Sequence, residues 1–241
     1  MKAVAELNDI QDLLNEQAAQ KKLSFKDFTE PWMKRVLLLG IALAVIMQTT
    51  GVNAIMFYGS QILLAAGFST EAALIGNIGN GIISVVGTII GFFLVRKLTR
   101  RQMLGTGLAG TCCSNLAIGL AAIILDGSDI LPYVVLTLTV VFLAFMQTFV
   151  APVIWVVISE IFPLRMRGTG MGFAIFFVWM TIYVVTFAFP ILISLIGLSC
   201  SFFIFAALGV LGLLFVKYYM PETKGLSMED IERRFRSAQY N

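Results

Sequence analysis

Charged residues in this chain come in short groups, and long uncharged segments separate them. One such segment covers residues 36–70 and another covers residues 168–216. A helix crosses the bilayer core, which is about 30 Å thick, with about 20 apolar residues. The segment 168–216 is too long for one crossing, and we divide it at Pro190 and the LIGLSC that follows. The pattern therefore predicts six membrane-spanning helices, at residues 36–62, 72–95, 103–125, 131–158, 169–190 and 199–218.

Composition and charge both place the chain in a membrane. Only 13% of its residues are charged, 59% are hydrophobic and the mean hydropathy is +0.90, whereas soluble domains have about 25% charged residues. With six spans, all 17 lysines and arginines lie on one face of the membrane, and the other face receives Glu71, Asp126 and Asp129. Because basic loops stay on the cytoplasmic side, both termini are predicted to be cytoplasmic. The net charge of +3 reflects this topology and indicates no nucleic-acid partner.

The same pattern divides the chain into three regions. Residues 1–35 form a polar cytosolic linker, in which apolar positions at helical spacing predict a surface helix over residues 4–20. Residues 36–219 form the six-helix transmembrane domain, and residues 220–241 form a cytosolic tail. The predicted fold class is therefore an all-α membrane protein, with the lipid bilayer as its first partner.

Several kinds of reactive group are absent from the predicted spans. The chain has no histidine, its spans hold no carboxylate or cation, and its three cysteines lack the spacing of a metal site. General acid–base catalysis and intramembrane proton relays require such groups. The sequence therefore predicts no enzyme activity, no catalytic residue, no metal site and no cofactor.

The stretch MQTTGVNAIMFYG, residues 47–59, places amides inside the first predicted span. Gln48 and Asn53 would lie about 140° apart on an ideal helix, but Gly51 and the two threonines before it weaken the helix there. A break at this point would turn both amides toward one cavity, where they could bind a polar solute. Amides also hydrogen-bond neighbouring membrane helices, and this stretch alone leaves both interpretations open.

Two further spans carry polar or helix-breaking residues. The second has a polar stripe, for which helix–helix packing is the favoured interpretation, at Asn77, Asn80, Ser84 and Thr88. In the fourth span, Pro152 removes one amide donor and interrupts the helix. Trp155 lies one turn further, where it could stack on a sugar ring or pack in the core.

The two interrupted helices occupy corresponding places. Spans 1–3 enter from the cytoplasm and spans 4–6 from outside, so they form two triplets of opposite orientation. The first helix of each triplet is the interrupted one. Inverted repeats with interrupted helices at matching positions are typical of transporters whose site lies near the middle of the membrane. The sequence therefore favours a transporter.

These motifs resemble those of the sugar porters of the major facilitator superfamily, and specifically their C-terminal half. MQTTGVNAIMFYG is similar to the Gln-Gln-x-x-Gly-x-Asn stretch of the family's seventh helix, with its aromatic pair. SEIFPLRMRGTG and PETKGLSMEDIE resemble the family's cytosolic signatures after the tenth and twelfth helices. The resemblance covers essentially the whole chain, and more weakly it extends to the polyol and inositol branch.

The resemblance implies roles for individual residues. Gln48 and Asn53 would hydrogen-bond sugar hydroxyls, Trp155 would pack against the sugar ring, and Asn80 is a further candidate for substrate binding. Phe57 and Tyr58 would close the outer gate, and Pro152 is assigned to the gate with them. A cytosolic ion-pair network that holds the outward-facing state would consist of Arg100, Arg101, Glu160, Arg167 and Glu222.

The implied function is transport of a monosaccharide or polyol (hexose, pentose or inositol) across the cell membrane by alternating access. The family has twelve helices, so this chain would be one half, and an N-terminal six-helix half would be its partner. The alternatives are a truncated fragment that does not transport, or a six-span scaffold or channel-like protein whose amides only join helices.

Some positions depart from the family pattern. Met47 replaces the first glutamine of the seventh-helix motif, and Ser84 and Val178 stand where some glucose porters have asparagine. In the loop RKLTRR, Arg96 replaces an acidic residue and Thr99 replaces a glycine. These departures speak against glucose as the substrate and indicate that part of the gate network is altered.

Overall fold

The structure is a computed structural model that describes residues 30–163, 166–225, 230 and 233. The surface helix predicted over residues 4–20 and most of the predicted tail lie outside the described residues. The helices are α1 (Pro31–Thr49), α2 (Val52–Ala65), α3 (Thr70–Lys97), α4 (Arg100–Ile124), α5 (Leu131–Phe145), a π-helical turn (Met146–Val150), α6 (Ala151–Ile161) and α7 (Arg167–Tyr219).

Five helical runs are long and apolar enough to cross a membrane, which confirms an all-α membrane protein. They are Pro31–Ala65, Thr70–Lys97, Arg100–Ile124, Leu131–Ile161 and Arg167–Tyr219. The first run joins α1 and α2, and the fourth joins α5 and α6 through the π-helical turn. Both runs therefore contain an interruption, as the sequence predicts for the first and fourth spans.

The longest helix, α7, folds back on itself. Its 53 residues would make about 80 Å of straight helix, more than twice the thickness of a bilayer core. Gly197 interrupts it with φ 78° and ψ 177°, a backbone conformation that glycine adopts without steric cost. The ring centroids of Phe189 and Phe205 are 5.8 Å apart, whereas a straight helix would separate these residues by more than 20 Å. The parts of α7 before and after Gly197 therefore lie side by side.

The break in α7 refines the predicted boundary between the fifth and sixth spans. The sequence divides the uncharged segment at Pro190 and the following LIGLSC, and Gly197 lies within LIGLSC. Pro190 remains inside the helix. Its missing amide donor is tolerated because other groups compensate for lost backbone bonds in membrane helices.

The bundle has an aromatic core and an apolar outer surface. α7 packs against α4 and α1, and α4 packs against α5. The largest buried side chains include Phe142, Phe162, Phe189 and Phe202. α3 is exposed along most of its length, and its outward side chains are apolar, for example Ile75, Ile82 and Phe93. Such a surface is suited to hydrocarbon and not to water.

Three chain connections meet at one end of the bundle. Arg100 at the start of α4 contacts Glu160 near the end of α6 and Glu222 just after α7. We call this end the basic end. It carries Arg96, Lys97, Arg100, Arg101, Lys217 and Lys224. The loop between α4 and α5, which contains Asp126 and Asp129, lies at the opposite end, so the described charges are separated as the sequence predicts.

Candidate functional site

The interruption between α1 and α2 is centred on Gly51. This residue has a φ of 89°, in the left-handed region that side chains with a Cβ disfavour. A Cβ at Gly51 would lie 2.8 Å from Cδ2 of Phe205, so the neighbouring aromatic ring leaves no room for a side chain. Asn115 of α4 donates from Nδ2 to the carbonyl oxygen of Thr50 over 3.0 Å. Both conformation and packing therefore hold the break in place.

The break brings the two predicted amides together. Asn53 Nδ2 donates a hydrogen bond to Oε1 of Gln48, although the two residues would point about 140° apart on an ideal helix. Gln48 is 2% exposed, and Asn53 is half-buried. An amide side chain has two donor hydrogens and two acceptor lone pairs, so their mutual bond leaves each amide with further hydrogen-bonding capacity.

The predicted residue Asn80 lies in a different setting. It is 3% exposed, it accepts from Oγ1 of Thr139 on α5 over 3.2 Å, and it donates to Oδ1 of Asn77 over 3.1 Å. Ser84 and Thr88, the other members of the stripe, donate to backbone carbonyls of α3 itself. Asn80 thus makes a hydrogen bond between helices, as the packing interpretation expects, while the carbonyl bonds of Ser84 and Thr88 stay within α3.

The fourth span is interrupted just before Pro152. The chain makes a π-helical turn over Met146–Val150, where hydrogen bonds run one residue further than in an α-helix. A Cβ at Gly91 of α3 would lie 2.6 Å from the carbonyl oxygen of Thr148 and 2.7 Å from Cγ of Pro152, so α3 touches this interruption closely. Trp155 follows with its side chain 39% exposed.

The aromatic pair assigned to the outer gate is divided between two environments. Phe57 is 64% exposed. Tyr58 has non-helical dihedral angles, φ −113° and ψ 17°, inside α2. Its hydroxyl donates to the carbonyl oxygen of Thr186 on α7 over 3.1 Å, and its ring lies 5.6 Å from that of Phe189. Tyr58 therefore links α2 to α7, while Phe57 points outward.

Of the predicted ion-pair network, the structure shows the pair between Arg100 and Glu160 at the basic end. Arg100 Nη2 lies 2.8 Å from Oε1 of Glu160, and Thr223 Oγ1 donates to Oε2 of Glu160 over 2.6 Å. Arg101 instead directs its guanidinium to the carbonyl oxygen of Lys217. Arg167 begins α7 at the same end. The contacts of Arg100, Glu160 and Thr223 join α4, α6 and the segment after α7.

Glu222 caps the start of α4. Its carboxylate accepts from the backbone N–H groups of Arg100 and Arg101 over 3.0 and 3.1 Å, and from that of Lys224 over 3.0 Å. Burial acts to raise the pKa of Glu222, but these three hydrogen bonds and one from the Thr99 hydroxyl together lower it below its ordinary value of 4.5. A negative charge is also favoured at a helix N-terminus by the helix dipole. Thr99, a departure from the family glycine, therefore contributes to the network.

We expect Glu222→Gln to weaken the pH dependence of stability below pH 4.5. Because folding lowers the pKa of Glu222, its carboxylate stabilises the fold above the unfolded-state pKa, and this stabilisation is lost as the pH falls through the folded-state pKa. Thermal unfolding in detergent at pH 7 and pH 4 measures the effect. Glu71→Gln, which removes an exposed carboxylate from α3, is the control. Equal pH dependence in Glu222→Gln and the unmodified chain would contradict the expectation.

Two structural residues were not found from the sequence. Asn115 holds the break at Thr50, and Thr223 binds Glu160. An asparagine inside a predicted span is costly in hydrocarbon, so the sequence indicates that Asn115 has a hydrogen-bond partner. Nothing in the sequence indicates which helix supplies that partner. No feature of the sequence around Thr223 predicts its contact with Glu160.

Comparisons with known proteins give a consistent result. The sequence model of the family described as "Sugar (and other) transporter" matches residues 2–235. The "Major myo-inositol transporter IolT" of Bacillus subtilis (strain 168) is 52% identical over 236 residues, which cover 98% of this chain and 50% of that protein. The "D-xylose transporter" of Levilactobacillus brevis is 31% identical over 235 residues, which cover 96% of this chain and 50% of that protein.

Solved structures match as well. The proton:xylose symporter XylE bound to 6-bromo-6-deoxy-D-glucose superposes with a TM-score of 0.73 at 28% sequence identity, over 83% of this chain and 42% of that chain. The present chain therefore spans about half the length of the curated relatives it matches.

Proposed function

The chain belongs to the sugar transporter family, and on this premise we propose that it is the C-terminal half of a transporter for a monosaccharide or polyol. The family consists of transporters, not enzymes. In this proposal six helices cross the cell membrane as two inverted triplets, α7 supplies the last two, and both termini are cytoplasmic. An N-terminal six-helix half completes the transporter, and the two halves rock around a central site in alternating access.

The observation that carries the proposal is the Gln48–Asn53 pair at the break between α1 and α2. Replacing the water around a hydroxylated solute requires donors and acceptors on one side of the helix, and the break places both amides there. A sugar hydroxyl would insert between them or use their remaining hydrogen-bonding positions. Trp155, with its exposed indole, would pack against the ring of the sugar.

The substrate class follows from the relatives. They include a myo-inositol transporter at 52% identity, a glucose transporter at 33% and a D-xylose transporter at 31%, and the much higher identity to the first favours an inositol over glucose. Ser84 and Val178 stand where some glucose porters have asparagine, and Met47 replaces a glutamine of the family motif; these departures agree with the same preference. Asn80 is engaged with Thr139, so we give it a smaller part in substrate binding than Gln48 and Asn53.

The alternative function is a six-span scaffold or channel-like protein. The Asn80–Thr139 and Asn115–Thr50 hydrogen bonds favour it, because they use amides to join helices. This alternative requires no partner half and predicts no selective uptake of a sugar.

Reconstituted vesicles separate the two functions. The chain is incorporated alone, or together with the half of the myo-inositol transporter that it does not match, and uptake of labelled myo-inositol and xylose is measured. We expect saturable, competable uptake only in the paired sample. Ion leakage through the single chain, or no sugar uptake in a paired sample shown to assemble, would contradict the proposal.

Asn53→Ala is expected to weaken sugar binding by about 1–3 kcal/mol, because its hydrogen bond to a sugar hydroxyl is lost. This corresponds to a rise of about 5- to 150-fold in Kd, which isothermal titration of the paired sample measures. Gln61→Ala removes an exposed amide from the same helix and is the matched control. Equal affinities of the two variants would refute the role of Asn53.

A further inference from the structure

A groove of about 320 Å³ lies between α4 and the final part of α7 at the basic end. Its lining residues are Arg101, Gly105, Leu213, Val216 and Lys217. No other atom lies within 4 Å of the position that a Cβ would occupy at Gly105, so the absence of a side chain opens the floor of the groove.

The chemistry of the groove changes with depth. Arg101 and Lys217 lie at its mouth, and Gly105 and Leu213 lie one helical turn further from the basic end, about 6 Å deeper. Val216, which is buried, lines the groove between them. The groove is thus cationic at one end and apolar at the other.

Aromatic residues place the mouth at the membrane–water interface. Tyr218 and Tyr219 are 67% and 65% exposed, as in the aromatic belts found at the level of lipid headgroups. Lys217 Nζ lies 5.6 Å from the ring centroid of Tyr218. Leu211 and Leu214, further along α7, are also exposed and face the hydrocarbon. A phospholipid likewise has a charged headgroup at the interface and apolar chains in the hydrocarbon.

The cations at the mouth have positive charge available for a ligand. Glu160 pairs with Arg100 at this end, while the guanidinium of Arg101 donates to the carbonyl oxygen of Lys217. The nearest carboxylate, Glu222, accepts from the backbone N–H of Arg101 and is already held by the start of α4. Arg96 and Lys97 add further positive charge at the same end.

From this arrangement we propose that the groove binds an anionic phospholipid. Its phosphate lies between the guanidinium of Arg101 and the ammonium of Lys217, and an acyl chain lies against Gly105 and Leu213. Basic pockets between transmembrane helices are suited to anionic headgroups. A second copy of this chain would bring cations against cations, so a lipid is the better occupant.

Native mass spectrometry of the chain with mixed phosphatidylglycerol and phosphatidylcholine tests the site. The unmodified chain should retain phosphatidylglycerol selectively, and Arg101→Gln with Lys217→Gln should reduce the selectivity by about five-fold for each cation removed. Arg96→Gln with Lys97→Gln removes the same charge at the same end but outside the groove. This double variant should change the selectivity for phosphatidylglycerol little. An equal loss in both double variants would overturn the proposal, since diffuse attraction to the surface would then explain the selectivity.

A second variant leaves the charges unchanged and fills the groove. Gly105→Leu places a side chain in the open space and should lower retention of phosphatidylglycerol to the level of the double glutamine variant. Gly105→Ala replaces glycine by a better helix former and should give a smaller loss in a chain that folds at least as well. Retained selectivity in Gly105→Leu would overturn the proposal. The proposal would also be overturned if soluble glycerol 3-phosphate, which has no acyl chain, protected the chain from thermal unfolding as well as phosphatidylglycerol does.

Discussion

Gly51→Val is expected to destabilise the bundle by more than about 3 kcal/mol. A residue other than glycine in the left-handed conformation costs about 1–2 kcal/mol, and a β-branched side chain costs more. Valine would also overlap Phe205, whose ring is 3% exposed and stacks on Phe189, and overpacking of this kind costs about 1–3 kcal/mol. Thermal unfolding in detergent measures the loss, and sugar binding should fall with it because Gln48 and Asn53 would separate.

Gly81 provides the control for this substitution. It lies in the middle of α3, and a Cβ there would meet no atom within 4 Å. Gly81→Ala should therefore leave stability unchanged or raise it by up to about 1 kcal/mol, since alanine favours the helix. A Gly51→Val variant as stable as the unmodified chain would show that the break is not fixed by this glycine.

The helical architecture could be predicted because hydropathy alone determines it. An uncharged segment of membrane length has few alternatives to a helix, since the bilayer offers no partners for its backbone groups. The turn between the last two spans was harder to place. Proline is the stronger helix breaker in water, but Pro190 remains within the helix and the chain turns at Gly197. The turn requires a positive φ there, and the hydropathy pattern contains no information about that angle.

The candidate site was predictable in part. A weak point near Gly51 follows from residue types along one helix, and so does the prediction that Gln48 and Asn53 meet. Contacts between helices depend on how the helices are rotated and shifted against each other, which a single sequence does not show. For this reason the sequence left the function of Asn80 open, and it missed the bond from Asn115 to Thr50 altogether.

The structure separates two uses of buried amides that look alike in the sequence. Asn80 joins α3 to α5 through Thr139. Gln48 and Asn53 instead bond to each other across a break in their own helix, so a solute that competes for this bond disturbs no contact between helices. That difference is the physical reason for assigning substrate binding to Gln48 and Asn53.

Asn115→Asp is expected to destabilise the fold by about 3–5 kcal/mol at neutral pH. Asn115 and Thr50 are each 1% exposed, and the substitution replaces the Nδ2 donor with an oxygen that faces the Thr50 carbonyl. A buried charge without a partner costs about this much. Asn115→Leu should cost less, about 1–3 kcal/mol for the lost donor, partly offset because the buried Oδ1 of Asn115 has no hydrogen-bond partner among the described residues.

The sugar affinity of Asn115→Leu tests whether this contact also positions the site. Thr50 precedes Gly51 in the break that holds Gln48 against Asn53, so loss of the Asn115 bond should let the break relax and lower sugar affinity. Thr111→Val is the matched control, because Thr111 is as buried as Asn115 on the same helix and its hydroxyl bonds only to the carbonyl of Leu108. Titration with myo-inositol should give a higher Kd for Asn115→Leu than for Thr111→Val at equal unfolding temperature. Equal Kd values would restrict Asn115 to helix packing.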